Sequence, residues 1–350
     1  MPGTLQNDLL IRACRKQAVP RTPVWIMRQA GRYLPEYQKV RAKADFLTLC
    51  HTPELAAEVS LQPVDIVGVD AAIIFSDILV IPEAMGMALQ FHEGRGPVFD
   101  NPLRSEQDIA GLSAADAAEK LSFVFEAIKL LRRELAGRVP VIGFAGAPWT
   151  LAAYMVEGSG SREFVQIKTL LYNRPEILHR LLEKLSVAVA DFLVGQVEAG
   201  ADVVQIFDSW AGILTPESYR TFSLPYIRRV VRRLKEKDVP VIVFARDAGH
   251  SVERLADTGA DVLSISWRED LAEMKKRVNG RVALQGNLDP CALFAPVAQI
   301  RTEARRVLEN AGEGTGHIFN LGHGILPQTP VEHARAMVEF VKEESVKFHE

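Results

Sequence analysis

The chain has 350 residues, of which 48% are hydrophobic and 24% charged, and its formal net charge is −3. Such totals describe an ordinary globular protein and give no global reason to expect a nucleic acid or an anionic membrane as partner. The three cysteines, Cys14, Cys50 and Cys291, lie far apart, which points to free thiols in a reducing, cytoplasmic setting and away from a Cys-based zinc site.

The first stretch, "MPGTLQNDLLIRACRKQ", carries Asp8 and only a brief apolar run. It lacks the apolar core of a signal peptide, and no stretch approaches the roughly 20 apolar residues of a membrane span. Residues 1–44 hold nine Lys/Arg against two acids, a local balance of +7. On charge alone, a solvated basic face and the lining of a polyanion pocket are equally open.

Short apolar, β-branched runs follow at Val24–Met27, Ala71–Phe75, Val139–Phe144, Asp202–Phe207, Val239–Phe244, Asp261–Ile265, Arg281–Leu284 and His317–Asn320. Amphipathic helical patterns lie between them, among them Glu163–Tyr172, Pro175–Ala199, Pro216–Lys237 and Val297–Asn310. Thr52-Pro53-Glu54 and Thr215-Pro216-Glu217 set a capping hydroxyl before a first-turn proline, and Thr329-Pro330-Val331-Glu332 has the spacing of a capping box. Strands apolar on both faces and alternating with helices predict a parallel sheet covered by helices. Eight such units predict a single (β/α)8 barrel over residues 1–350, with enlarged early βα loops. No G-x-G-x-x-G follows the first strand, which disfavours a dinucleotide fold.

Barrel chemistry sits at the C-terminal ends of strands. Those ends carry Arg28, Asp77, the Gly146–Tyr154 region, Asp208-Ser209, Arg246-Asp247, Trp267-Arg268, Gln285-Asn287 and His323. "MRQAGR" (27–32) sets Arg28 and Arg32 four apart, suited to carboxylate binding or to salt bridges at the barrel rim. Asp77 in "IIFSDIL" is either a loop hydrogen-bonder or a carboxylate for ligand N–H groups or a developing cation. "GFAGAPWTLAAYMVEGSG" (143–160) reads as a strand-to-helix connection with Tyr154 on a short helix, and its "EGSGS" end (157–161) as a mobile loop. His323 stands between glycines in "NLGHGI", a setting that favours function over core packing. The remaining histidines show no metal spacing.

Together these segments resemble the uroporphyrinogen decarboxylase family over essentially the whole chain, Leu10 to Val341. "PVWIMRQAGR" and "GFAGAPWTLAAYMVEG" carry most of the resemblance, with "AAIIFSDIL", "FDSWAG" and "NLGHGI" in order. It implies a cofactor-free, metal-free (β/α)8 enzyme that forms homodimers with facing clefts. It implies conversion of the four acetate side chains of uroporphyrinogen III to methyl groups. Arg28 and Arg32 would bind substrate carboxylates, with Arg41 a further candidate for the pocket; the backbone of Gln29, Ala30 and Gly31 would lie along the substrate, and Asp77 would bind the pyrrole N–H groups. Tyr154, Ser209 and His323 match the remaining pocket residues. Tyr37 and Asp208 stand where some members have Phe and Glu. With no cofactor signature, the substrate would be its own electron sink: a protonated pyrrole accepts the electrons, and Asp77 stabilises the cation. Arg28, Tyr154, His323 or a water would supply the proton. Two rival readings are a zinc-dependent methyltransferase of the related barrel group and a non-enzymatic tetrapyrrole-binding protein.

Overall fold

A computed structural model describes residues 5–92, 96–114 and 117–349. Its strands are β1 (Ala72–Ile73), β2 (Leu89–His92), β3 (Gly96–Phe99), β4 (Val141–Gly146), β5 (Val203–Asp208), β6 (Val241–Ala245), β7 (Val262–Ser264), β8 (Ala283–Gln285) and β9 (His317–Ile318). All but β2 and β3 form one parallel sheet in the order β1-β4-β5-β6-β7-β8-β9. Seven of the eight expected runs supply these strands.

The eighth run, Val24–Met27, closes the barrel without becoming a regular strand. Val24 bridges Phe319 in parallel on one side, and the Phe319 N–H donates to the Pro23 carbonyl at 2.9 Å. On the other side the Asp70 N–H donates to the Val24 carbonyl at 2.7 Å. The Val24 N–H goes to the Asp70 carboxylate at 2.9 Å, so a side chain stands in for a strand carbonyl. The result is a (β/α)8 barrel whose first stave is pinned by Asp70.

The same device recurs at the N-terminal ends of other strands. Asp202 accepts from the Val141 N–H and Asp261 from the Val241 N–H, at 2.9 and 2.8 Å. Each carboxylate is also paired with a cation: Asp70 with Arg21, Asp202 with Arg132, Asp261 with Lys235. The sequence signature is Gly-x-Asp at 68–70, 200–202 and 259–261, and all three glycines have positive φ. A left-handed glycine turns the chain out of its helix and delivers the aspartate to the strand start. Sequence reading had missed this repeat.

Between β1 and β4 the chain adds the β2–β3 hairpin and several helices, the enlarged early loop expected from the strand spacing. The hairpin bridges Ser159 through Val98, and the Phe99 N–H donates to the Gly158 carbonyl at 2.7 Å. Glu157 caps the next helix through the N–H groups of Gln166 and Ile167. Segment 157–161, expected to be a mobile loop, is therefore tied through its first three residues.

Pro175–Ala199 is one helix as expected, whereas Pro216–Lys237 is two, Pro216–Phe222 and Leu224–Lys235, broken at Ser223. Thr215 caps its helix by accepting from the Ser218 N–H. Thr52 instead donates to the Thr48 carbonyl of the preceding turn. Pro330, not Thr329, takes the N-cap position of the last long helix, and the Thr329 hydroxyl is buried without a partner. Below the mouth, a polar layer crosses the barrel: Trp25 donates to Gln285 at 2.9 Å, and Gln285 to Ser264 and Gln205 at 3.0 and 3.2 Å.

Candidate active site

The mouth lies at the C-terminal ends of the parallel strands. Arg28 enters it from the first stave in a left-handed conformation, φ 64°, which a bulky residue adopts only when its surroundings hold it there. The Met27 N–H donates to Asn320 Oδ1 and the Ile325 N–H to the Met27 carbonyl, both at 2.9 Å, locking the first strand end to the 320–325 loop. That loop carries His323 between two glycines that permit close approach. A Cβ on Gly324 would stand 2.3 Å from Arg28 Cδ, and one on Gly322 would stand 2.1 Å from the Trp267 nitrogen.

Arg28 and Arg32 are both exposed, and among the described residues neither has an ion pair. The salt-bridge alternative therefore finds no partner for them. The rest of the basic segment divides. Arg12, Arg15 and Arg21 pair with Asp8, Asp238 and Asp70, and Lys16 donates to the carbonyls of Gly280 and Arg281. Arg15, Lys16 and Arg21 are thus engaged by residues outside the segment, away from the mouth. Arg41 donates to the Ala44 carbonyl at the end of its helix. Gln29 is fully buried. Its side chain accepts from the Ile26 N–H at 3.1 Å and donates to the Ala71 carbonyl at 2.9 Å, and its own N–H goes to Ile26. Gln29 therefore supports the turn, while Ala30 and Gly31 are partly exposed on it.

Asp77 follows β1. The Phe75 N–H leaves the sheet to donate to Ser60 Oγ at 2.7 Å, and Asp77 Oδ1 accepts from the Leu79 N–H at 2.8 Å. The loop hydrogen-bonder reading is thus correct for one oxygen. The carboxyl is half-buried, and burial with the nearby Glu83 charge raises its pKa against the pull of the Leu79 N–H and Arg28. Leu79 is the one protein donor found for it among the described residues.

Tyr154 lies on helix Pro148–Glu157 with its ring 5.8 Å from that of Trp210. Burial and Asp77 push its hydroxyl pKa up, opposed by Arg28 and Arg246. His323 is pushed down to about 3 by burial and by the charges of Arg28 and Arg246. The Arg28 charge thus bears on Asp77, Tyr154 and His323 alike.

The two candidates at the end of β5 part company. Asp208 is fully buried with its oxygens accepting from Thr150 at 2.7 Å and Ser223 at 2.6 Å. It binds the helix layer, whereas half-buried Ser209, one residue on, remains available to the mouth.

Aromatic rings form a chain across the strands: Phe144 to Phe207 at 5.6 Å, Phe207 to Phe244 and Phe244 to His323 at 6.1 Å, and His323 to Trp267 at 5.9 Å. Tyr37 and Phe46 pack on Phe75, just after β1, the neighbour of β4. This wall is not legible in sequence, because its rings come from separate strands, loops and helices and each looks like core. Among the described residues, no group of three or more His, Cys, Asp or Glu could hold a metal ion, and no helix is long and apolar enough to cross a membrane.

Residues 5–344 match the family model described as uroporphyrinogen decarboxylase. The chain is 56% identical over 351 residues to a uroporphyrinogen decarboxylase of Chloroherpeton thalassium, with 99% of each chain covered. It is 53% identical to those of Chlorobaculum parvum and Legionella pneumophila, covering 99% of this chain and 100% and 99% of theirs. Among solved structures, a methyltransferase from Methanosarcina mazei superposes with a TM-score of 0.84 at 24% identity, covering 98% of this chain and 99% of the other. At that identity the likeness is one of fold.

Proposed function

Because the chain belongs to the uroporphyrinogen decarboxylase family, we propose that this mouth is where it removes carbon dioxide from the four acetate arms of uroporphyrinogen III, giving coproporphyrinogen III. The protein is a carboxy-lyase of tetrapyrrole biosynthesis. One observation carries the reading of the site: unpaired arginines and a carboxylate short of donors share a mouth walled by aromatic rings. A macrocycle with an apolar face, a rim of carboxylates and N–H groups at its centre complements all three.

Arg28 and Arg32 bind rim carboxylates by charge-assisted hydrogen bonds. Asp77 accepts from the pyrrole N–H groups, which supply the donors its surroundings withhold. Protonation of a pyrrole carbon then creates a cation beside Asp77, and the ring takes up the electron pair left by the departing carbon dioxide. Tyr154 and His323 handle protons at this centre, and Ser209 adds a hydroxyl. Beside two arginines the imidazole is neutral, and the carboxylates of a bound substrate offset those charges. Among the described residues, no cluster of His, Cys, Asp or Glu favours a zinc-dependent reading. Residues 1–350 act as one barrel domain, in a cytoplasmic homodimer with facing mouths, as the family resemblance implies.

The test is an anaerobic assay with uroporphyrinogen, read by chromatography of the oxidised porphyrins. Wild-type protein should form coproporphyrin, and Arg28→Ala should lose about 10- to 150-fold in kcat/KM, as expected for one charge-assisted bond. Failure of the wild type to release carbon dioxide overturns the reaction, and unimpaired Arg28→Ala overturns the role of Arg28.

A further inference from the structure

The closed barrel has eight staves, so the first and fifth face each other across its mouth. Arg28 ends the first. The fifth is β6, and it ends in Arg246, whose N–H continues the ladder by donating to the Asp208 carbonyl at 3.1 Å.

Arg246 is set up much as Arg28 is. Its guanidinium carbon stands 5.7 Å from the centre of the Trp267 ring, the indole that also meets His323. Stacking of this kind orients the planar group without using its donors. Its nearest acid is Asp247, with Arg246 Nε 3.4 Å from Oδ2. That approach lacks hydrogen-bond geometry, and Nε is buried without a partner. Asp247 is occupied elsewhere: Oδ1 accepts from Ser266 Oγ at 2.8 Å, and Oδ2 also faces Arg268 at 3.5 Å. Asp247 adopts φ 56° with its backbone close to Gly212, and the Ser266 hydrogen bond fixes its carboxylate. The charge of Arg246 acts on both Tyr154 and His323, as that of Arg28 does. Stacked on the indole that meets His323, the side chain stands at the same mouth on the stave opposite Arg28.

We propose that Arg246 is the counter-anchor to Arg28, binding a carboxylate arm of the macrocycle on the far rim and setting the orientation in which the substrate enters. The inference rests on the decarboxylase reading above. An under-satisfied guanidinium inside an aromatic wall takes a carboxylate in a forked pair. A substrate with carboxylates all round its edge presents one to each of two facing arginines, whereas a substrate charged on one side would use only Arg28. Because the arm bound at Arg246 is held away from the reacting carbon, its contribution is equal in the ground and transition states.

The experiment measures steady-state kinetics of wild type, Arg246→Gln and Arg246→Lys on uroporphyrinogen, with urea midpoints for each. Arg246→Gln should raise KM about 10- to 100-fold with kcat within about threefold, and the dependence of KM on salt should weaken. Arg246→Lys, which keeps the charge and loses the fork, should fall between. The proposal is overturned if KM of both variants stays at the wild-type value, if kcat falls while KM holds, or if lost activity tracks lost folded protein in both. Wild type that converts uroporphyrinogen while Arg246→Gln behaves identically refutes the counter-anchor alone, whereas inactive wild type refutes the underlying reaction.

Discussion

Alanine at Gly324 should displace the Arg28 guanidinium and leave the barrel standing. A Cβ built there lies 2.3 Å from Arg28 Cδ, 2.8 Å from Cγ and 3.0 Å from Nε. Carbon atoms pack at about 3.5–4.0 Å, so Cδ must retreat by roughly 1.2 Å or more. Gly324 does not have a positive φ, so the added methyl brings no backbone strain. Arg28 is an exposed, flexible side chain that can move away. The cost in stability should accordingly be near the ~0.5 kcal/mol of a benign surface change. The cost in function should be larger, because a charge-assisted bond worth about 1.5–3 kcal/mol is misplaced, roughly 10- to 150-fold in kcat/KM. The assay is anaerobic turnover per folded molecule beside the urea midpoint. Gly324→Ala with kcat/KM within twofold of wild type refutes the reasoning, as does a stability loss above about 2 kcal/mol with normal turnover of the folded fraction.

Asp77→Asn should lower turnover by about a hundredfold or more if its charge stabilises the pyrrole cation, with Asp77→Glu retaining more activity; near-normal kcat in Asp77→Asn would show that the carboxylate only caps the Leu79 turn. Asp70→Ala removes the partner of Arg21 and the acceptor for the Val24 N–H, and should cost about 3–5 kcal/mol in urea unfolding. A loss below about 1 kcal/mol would mean that the first stave does not depend on it. Burial holds the Asp208 carboxyl at about 6 against hydrogen bonds from Ser223 and Thr150, above an unfolded value of about 3.9. The unfolded chain loses this proton first, so stability falls as pH rises from about 4 to 6, by on the order of 3 kcal/mol, and is flat above. Asp208→Asn should remove that slope from urea midpoints measured across the range, and an unchanged slope would assign it to other groups.

Most of the barrel was legible in the residues because it is a local property. Apolar runs such as Val203–Asp208 and Val241–Ala245 show their strand character within a few residues, and Pro175–Ala199 its helical period. The order of the strand ends then named Arg28, Asp77, Tyr154 and His323 as neighbours, since a closed parallel barrel brings all such ends to one rim. Partnership through space was not legible. Arg28 and Arg21 are both arginines of one basic segment, yet only Arg21 meets a buried aspartate, and that aspartate is 49 residues away. Asp208 and Ser209 are adjacent, yet Asp208 ends the strand bound into the helix layer, while Ser209 lies on the turn beyond it and is left near the mouth. Arg246 carries no motif, and its orphaned nitrogen, its stacking on Trp267 and its place opposite Arg28 exist only once the sheet has closed. Sequence determined which side chains stand at the rim, through periods of two and 3.6 that each segment carries by itself. Tertiary structure decided which of them are already satisfied by the protein and which are left for a ligand, because that depends on partners supplied by distant segments.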